Sequence, residues 1–176
     1  MKYVYEFTNK RKVTKREFIH WFEKKFFYTI RKFKMISLGD VVAYDNKKDF
    51  RTVVLVNLLN ILAERGIIEA VKLSKSRKYT KKAIIATTDT EADKITNILV
   101  KGKVKSLNKI KPVDKKVIKP MFLFLDKEVL LYAKLLGLKF KKTKEIKNKL
   151  GKFVDDLEKK HSEIKHSIVQ SYLELY

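Results

Sequence analysis

Val41-Val42-Ala43-Tyr44-Asp45-Asn46-Lys47-Lys48-Asp49-Phe50, followed by an apolar helical run from Thr52 to Ala63, decides the fold. The first four residues read as a short buried strand, the next six as a loop, and the rest as a helix. A strand–loop–helix of this layout holds phosphate when glycines let backbone N–H groups close on the anion. The loop 45–50 has no glycine, and Asp45 places a negative charge where an anion would sit.

Outward from this unit, Gly39 ends the entry loop and Gly66 stands where a helix spanning 49–65 should stop. Residues 67–73 read as a second strand and 83–87 as a third, with a basic loop, 74–82, between them. Thr88 with Glu91 has capping-box spacing and predicts a helix running to about residue 101. Upstream, residues 1–7 alternate loosely and read as an edge strand. Thr14 with Glu17 forms another capping box. Phe18, Phe22, Phe26, Ile30 and Phe33 recur at helical spacing, predicting an amphipathic helix over 15–35.

Downstream, the lysine-dense segment 102–119 reads as a solvated loop or short irregular elements. Three closing helices are predicted, over 126–136, 144–158 and 162–176. The second carries Ile146, Leu150, Phe153 and Leu157 on one face, and the third Ile164, Ile168, Tyr172 and Leu175. These faces read as core, or as a subunit interface if left uncovered. Strands alternating with helices predict an α/β fold on a small parallel sheet of three or four strands. It is expected to form one domain: an N-terminal extension (1–38), an α/β core (39–124) and C-terminal helices (125–176).

Composition narrows the chemistry. Lys and Arg number 42 against 20 Asp and Glu, a net charge of +22 that implies a polyanionic partner, most simply nucleic acid. A generally lysine-rich proteome is the bland alternative. There is no cysteine, so disulfides, thiolate catalysis and cysteine-held metals have no residues to use. The three histidines suggest no metal site. With no apolar segment of transmembrane length and no signal-peptide core, a soluble cytoplasmic protein without membrane contact is expected.

Several short segments resemble the PP-loop ATP pyrophosphatases that make 2-thiouridine in tRNA. They are Phe18-x-x-Trp21-Phe22-Glu23, Thr29-Ile30-x-x-Phe33-x-Met35, Gly39-Asp40-x-Val42, Ala86-Thr87, Asp89-x-Glu91-Ala92 and Asn97-x-Leu99-x-x-Gly102. Lys119-Pro120-Met121, Lys127-Glu128-Val129-x-x-Tyr132-Ala133, Gly137-Leu138, Leu157-Glu158-x-x-His161 and Ile164-Lys165-x-x-Ile168 continue the likeness in the same order. The resemblance implies a truncated adenine-nucleotide α-hydrolase-like (PP-loop, HUP-type) fold.

Departures from the family pattern are equally specific. Where such enzymes carry Ser-Gly-Gly-Lys-Asp-Ser, this chain has Asp45, Asn46, Lys47, Lys48, Asp49 and Phe50, keeping only the types of Lys48 and Asp49. The family's Gly-His-Asn-Leu is reduced to Thr88. A segment with a catalytic cysteine is missing between Leu73 and Ala83, and so are the zinc-binding cysteines. The expectation is therefore a degenerate, catalytically inactive member without ATP, zinc or iron–sulfur cluster. It would bind tRNA or dock to an active, cysteine-containing paralogue, as the paired subunits of the eukaryotic wobble-uridine complex imply. A homodimer, a general RNA-binding module and a residual nucleotide-binding regulator are the alternatives.

Candidate RNA contacts are Trp21, Lys24, Lys25, Arg31, Lys32, Lys75, Arg77, Lys78, Lys81, Lys82, Lys101, Lys103, Lys105, Lys141 and Lys142. Trp21, flanked by Lys24 and Lys25 on the polar helix face, could stack on a base, fill a partner's pocket, or pack against the chain's own C-terminal helices. Lys48 and Asp49 could keep weak nucleotide contact or form a surface turn with a helix-capping acid. Asp89 and Glu91 could act as a carboxylate pair or serve only the helix N-terminus.

Overall fold

A computed structural model of the chain describes residues 2–142 and 149–175. Five strands form the main sheet, in the order β4-β3-β5-β7-β6. They are β3 (Asp40–Tyr44), β4 (Ile68–Lys72), β5 (Lys81–Ala83), β6 (Val113–Asp114) and β7 (Val117–Ile118). Neighbours are parallel except at the β6 edge, which runs antiparallel to β7. The sheet is thus mixed and one strand larger than three or four. The two extra strands lie in the lysine-rich segment expected to be loop, which also contains a 3₁₀ helix, Val104–Ile110. The third strand comes earlier than expected, because the chain leaves the sheet after Ile84 to cap the next helix.

Two crossovers build this sheet. Helix α2 (Phe50–Glu64) carries β3 to β4 on one side, and α3 (Thr88–Val100) carries β5 toward β7 on the other. Helix α2 begins on Asp49, which caps it, and ends before Gly66, whose φ of +69° suits a residue without Cβ. Its buried apolar residues share one broad face: Val54, Leu55, Leu58, Leu59 and Leu62 enter the core.

The N-terminal strand does not join the main sheet. β1 (Tyr3–Glu6) pairs antiparallel with β2 (Lys12–Thr14) in a separate hairpin. Helix α1 (Lys15–Lys32) follows, closed by the Thr14–Glu17 capping box. Its Phe18, Phe22, Phe26 and Ile30 bury as the period requires. Phe22 stacks on Tyr132 with centroids 4.1 Å apart and meets Phe124 at 4.5 Å. That contact joins α1 to α4 (Asp126–Leu135).

Helices α5 (Lys149–Lys160) and α6 (Ile164–Glu174) pack on α3. Their buried faces match the predicted ones only in part, Tyr172 being buried as expected. Val154 is buried while Phe153 is 56% exposed, and Val169 and Tyr172 are buried while Leu175 is 73% exposed. The predicted helix start over 144–148, with Ile146, lies outside the described residues. Among the described residues no helix is long and apolar enough to cross a membrane.

Candidate functional site

Strand order reverses between β3 and β5: one crossover leaves toward β4, the other toward β7. A crevice outside the carboxyl ends of two such strands is where open α/β sheets bind ligands. Here the starts of α2, α3 and α4 are tied together. Asp126 N–H donates to Asp89 Oδ2 at 2.7 Å, and the Arg51 guanidinium grips the Asp126 carboxylate with two hydrogen bonds. Thr88 N–H donates to Phe124 O at 2.8 Å, and its hydroxyl donates to Phe122 O at 3.1 Å.

The loop 45–49 occupies the predicted phosphate position, but the first amides of α2 are already taken by the cap residue Asp49. Arg51 N–H and Thr52 N–H donate to Asp49 Oδ1 at 3.1 and 3.2 Å, and the Thr52 hydroxyl donates to Asp49 Oδ2 at 2.7 Å. An anion at this helix start would have to displace a carboxylate already bound there. Asp45, Asn46, Lys47 and Lys48 are exposed. Lys48 O accepts from Lys141 N–H at 2.7 Å, and Phe50 meets Phe140 edge-on at 6.1 Å, so the segment at 140–141 lies against the loop.

Buried charges surround the crevice in matched pairs. Lys165 of α6 donates to Asp89 at 2.6 Å and Asp155 at 2.7 Å, which fastens both C-terminal helices to the α3 start. Burial alone would lower the Lys165 pKa, but its hydrogen bonds to Asp155 and Asp89, with their charges, outweigh it and push the value up. Burial pushes the Asp126 carboxyl up; its Arg51 bond opposes this, and the nearby Asp89 charge adds to it. Fully buried Glu91 receives Lys119 at 2.8 Å and Lys94 at 2.5 Å. Asp89 and Glu91 therefore serve different ion pairs rather than one site. The α3 cap is Thr87, boxed with Thr90, not the predicted Thr88 with Glu91.

Two candidate RNA contacts, Trp21 and Lys25, are half-buried and already have partners within the chain. The Lys25 side chain is only 16% exposed, pairs with Glu128 at 2.8 Å, and holds its ammonium 4.8 Å from the Trp21 ring and 4.9 Å from the Phe124 ring. Burial lowers its pKa against the pull of Glu128. Trp21 packs against Phe7 at 4.9 Å, Phe18 at 5.5 Å and Tyr5 at 6.2 Å, and so closes the N-terminal hairpin onto α1. Its partners come from the hairpin rather than the C-terminal helices.

The other candidates divide among separate surfaces. Lys24, Arg31 and Lys32 are exposed on α1; Lys75, Arg77 and Lys78 are exposed between β4 and β5, with Arg77 paired to Glu69. Lys81 and Lys82 are half-buried within β5, and Lys141 and Lys142 are exposed. Lys101, Lys103 and Lys105 are exposed at the turn from α3 into the 3₁₀ helix. Lys94 and Lys109, absent from the candidates, join Lys101 around a groove of about 470 Å³ there. The dense lysine spacing of 101–119 was the available signal for Lys109; nothing local marked Lys94.

No family model and no curated protein matches the chain. Among solved structures it is similar to the U34-tRNA thiolase NcsA from Methanococcus maripaludis, solved with its [4Fe-4S] cluster. The TM-score is 0.75 at 19% identity, over 98% of this chain and 84% of that one. This comparison overturns two expectations, that the chain is catalytically inactive and that it takes no cofactor. The similar structure is an enzyme with a cluster, and changed residues at one loop do not establish loss of activity. The side chains present do not fit a cluster held by thiolates. The sequence has no cysteine, and among the described residues no three His, Asp or Glu side chains gather to hold a metal. What the two proteins share is the fold: a shortened PP-loop-like α/β unit, its mixed, mainly parallel sheet flanked by helices.

Proposed function

We propose that this protein binds tRNA and serves tRNA thiolation, holding RNA through surface lysines while a cysteine-bearing partner supplies thiol chemistry. One observation carries the reading: the buried cations are matched with carboxylates, so the +22 surplus remains on the surface of a thiolase-like fold. A strong field of one sign draws in a polyanion and holds it by releasing counterions. What supports the partner is that the 176 residues contain no thiol.

The test is a salt titration of tRNA binding with the purified chain, joined to recovery of its partners from native cells. Affinity should fall with a log–log slope of roughly −0.9 per neutralised phosphate on duplex RNA. A cysteine-containing thiolation protein should co-purify. Absence of tRNA binding at low salt refutes the reading. Equal affinity for unrelated structured RNA, with tRNA thiolation unchanged on gene deletion, would replace it with a general RNA-binding role.

A further inference from the structure

We infer that the groove between α3 and the 3₁₀ helix is where the RNA backbone docks; this rests on the RNA-binding reading above and names its surface. The turn at its rim is closed by hydrogen bonds. Helix α3 ends in a paired-hydrogen-bond cap, with Gly102 N–H donating to Leu99 O at 3.0 Å and Lys103 N–H to Ile98 O at 3.0 Å. Gly102 has φ +64°, the left-handed conformation this cap requires. Ser106 N–H then donates to Lys103 O at 2.8 Å and starts the 3₁₀ helix. Lys101, Lys103 and Lys105 are therefore presented on a hydrogen-bonded backbone, which lowers the ordering cost of binding.

The charges there are available. Lys101, Lys103, Lys105, Lys109, Lys115 and Lys116 are exposed, and among the described residues none forms an ion pair. Asp114 is the single acid between residues 101 and 119. Lys119, by contrast, is tied beneath the groove to Glu91 and to Ile110 O, each at 2.8 Å, and forms part of its wall.

Size and lining fit a nucleotide unit of a chain rather than a bare ion. The groove, about 470 Å³, has Ile98 for a ribose or base face and Asn97 and Ser106 for a polar edge, with Lys101 and Lys109 beside them and Asp93 as its one acid. The segment 109–112 separates it from a second groove of about 370 Å³ that includes Lys32 of α1 and Lys111. Lysines thus line both grooves, from Lys32 and Lys111 in the second to Lys101 and Lys109 in the first, and outnumber the acids there, Glu174 and Asp93. No residue of the β4–β5 loop lines either groove, and its Arg77 is paired with Glu69.

The decisive comparison is between two triple variants of the full chain with the same charge change: Lys101→Glu/Lys103→Glu/Lys105→Glu and Lys75→Glu/Arg77→Glu/Lys78→Glu. Fluorescence anisotropy with labelled tRNA is read between 50 and 200 mM salt, a range over which multi-phosphate binding is steeply salt-dependent, roughly 10³-fold or more for several contacts. The groove triple should bind at least about tenfold more weakly, with a log–log slope shallower by roughly 2–3. The loop triple should change affinity less than about threefold, as general charge effects alone would. Lys→Gln versions, checked by thermal unfolding, should rank in the same order.

Equal weakening by both triples, or an unchanged groove triple beside a binding wild type, overturns the groove and leaves RNA binding standing. A wild type that binds anionic vesicles through these lysines but no tRNA overturns both.

Discussion

The crevice at the sheet's carboxyl end and the lysine surface below α3 are built from the same residue types and use them oppositely. In and around the crevice Lys25, Arg51, Lys119 and Lys165 are largely buried, each against a carboxylate. On the surface, Lys101, Lys103, Lys105 and Lys109 face water, with Asp93 the one acid lining the groove beside them. Burial makes a charge dependent on its partner, since an unpaired ion in low dielectric costs several kcal/mol. Exposure makes it nearly irrelevant to folding and available to a ligand. The internal cations thus hold elements in place, while the outer ones carry whatever the field attracts.

The largest effect should come from cutting a buried pair. Glu91 is fully buried, and Glu91→Ala strands the Lys119 ammonium inside the protein. A loss of about 3–5 kcal/mol is expected in urea unfolding. Adding Lys119→Met to Glu91→Leu should recover much of it, because an apolar pair of similar volume needs no partner. A loss below about 1 kcal/mol for Glu91→Ala would break the contrast, placing that pair in the weak surface class.

These two classes look alike in a sequence. The period of Phe18, Phe22, Phe26 and Ile30 was legible because one face of α1 buries as a continuous stripe. The bounds of α2 were legible because Asp49 and Gly66 do local work. The unit around the loop at 45–50 was legible as architecture, since strand, loop and helix follow directly in sequence. What could not be read depended on distant partners. Lys25 is covered by Glu128 of α4, and Trp21 by Tyr5 and Phe7 of a hairpin that had read as a lone strand.

Strands β6 and β7 escaped because each has two residues and lies among lysines, with no room for a period of two. The buried face of α5 was misjudged by one position, Val154 for Phe153, because the supporting surface comes from α3 and not from α5 itself. Loop chemistry misled most about activity: missing glycines describe a local change at one loop, whereas the shared fold extends over 98% of the chain.

An intermediate case is a charge that is exposed yet partnered. Glu17 accepts from Thr14 N–H and from the Thr14 hydroxyl, each at 2.8 Å, and these bonds hold its carboxyl below the usual range. Because the folded value lies below the unfolded one, the cap's contribution is present above the ordinary Glu pKa and is lost as pH falls through the folded value. Thr14→Ala should cost about 1 kcal/mol at neutral pH. The penalty should shrink on acidification in parallel unfolding curves, and a penalty independent of pH would assign the cap to Thr14 alone.

The smallest effect, and the one that sharpens the contrast most, belongs to the groove lysines. Lys101→Glu/Lys103→Glu/Lys105→Glu should shift folding stability by no more than about 0.5 kcal/mol, the range of surface changes away from special features. Its sign should be stabilising at low salt, because a net charge of +22 repels itself in the compact state and acids among lysines relieve that. Salt near 1 M, where the Debye length is roughly 3 Å, should erase the gain. A destabilisation comparable to Glu91→Ala would mean these lysines hold structure as the buried ones do, and the division between the two regions would fail at its exposed end.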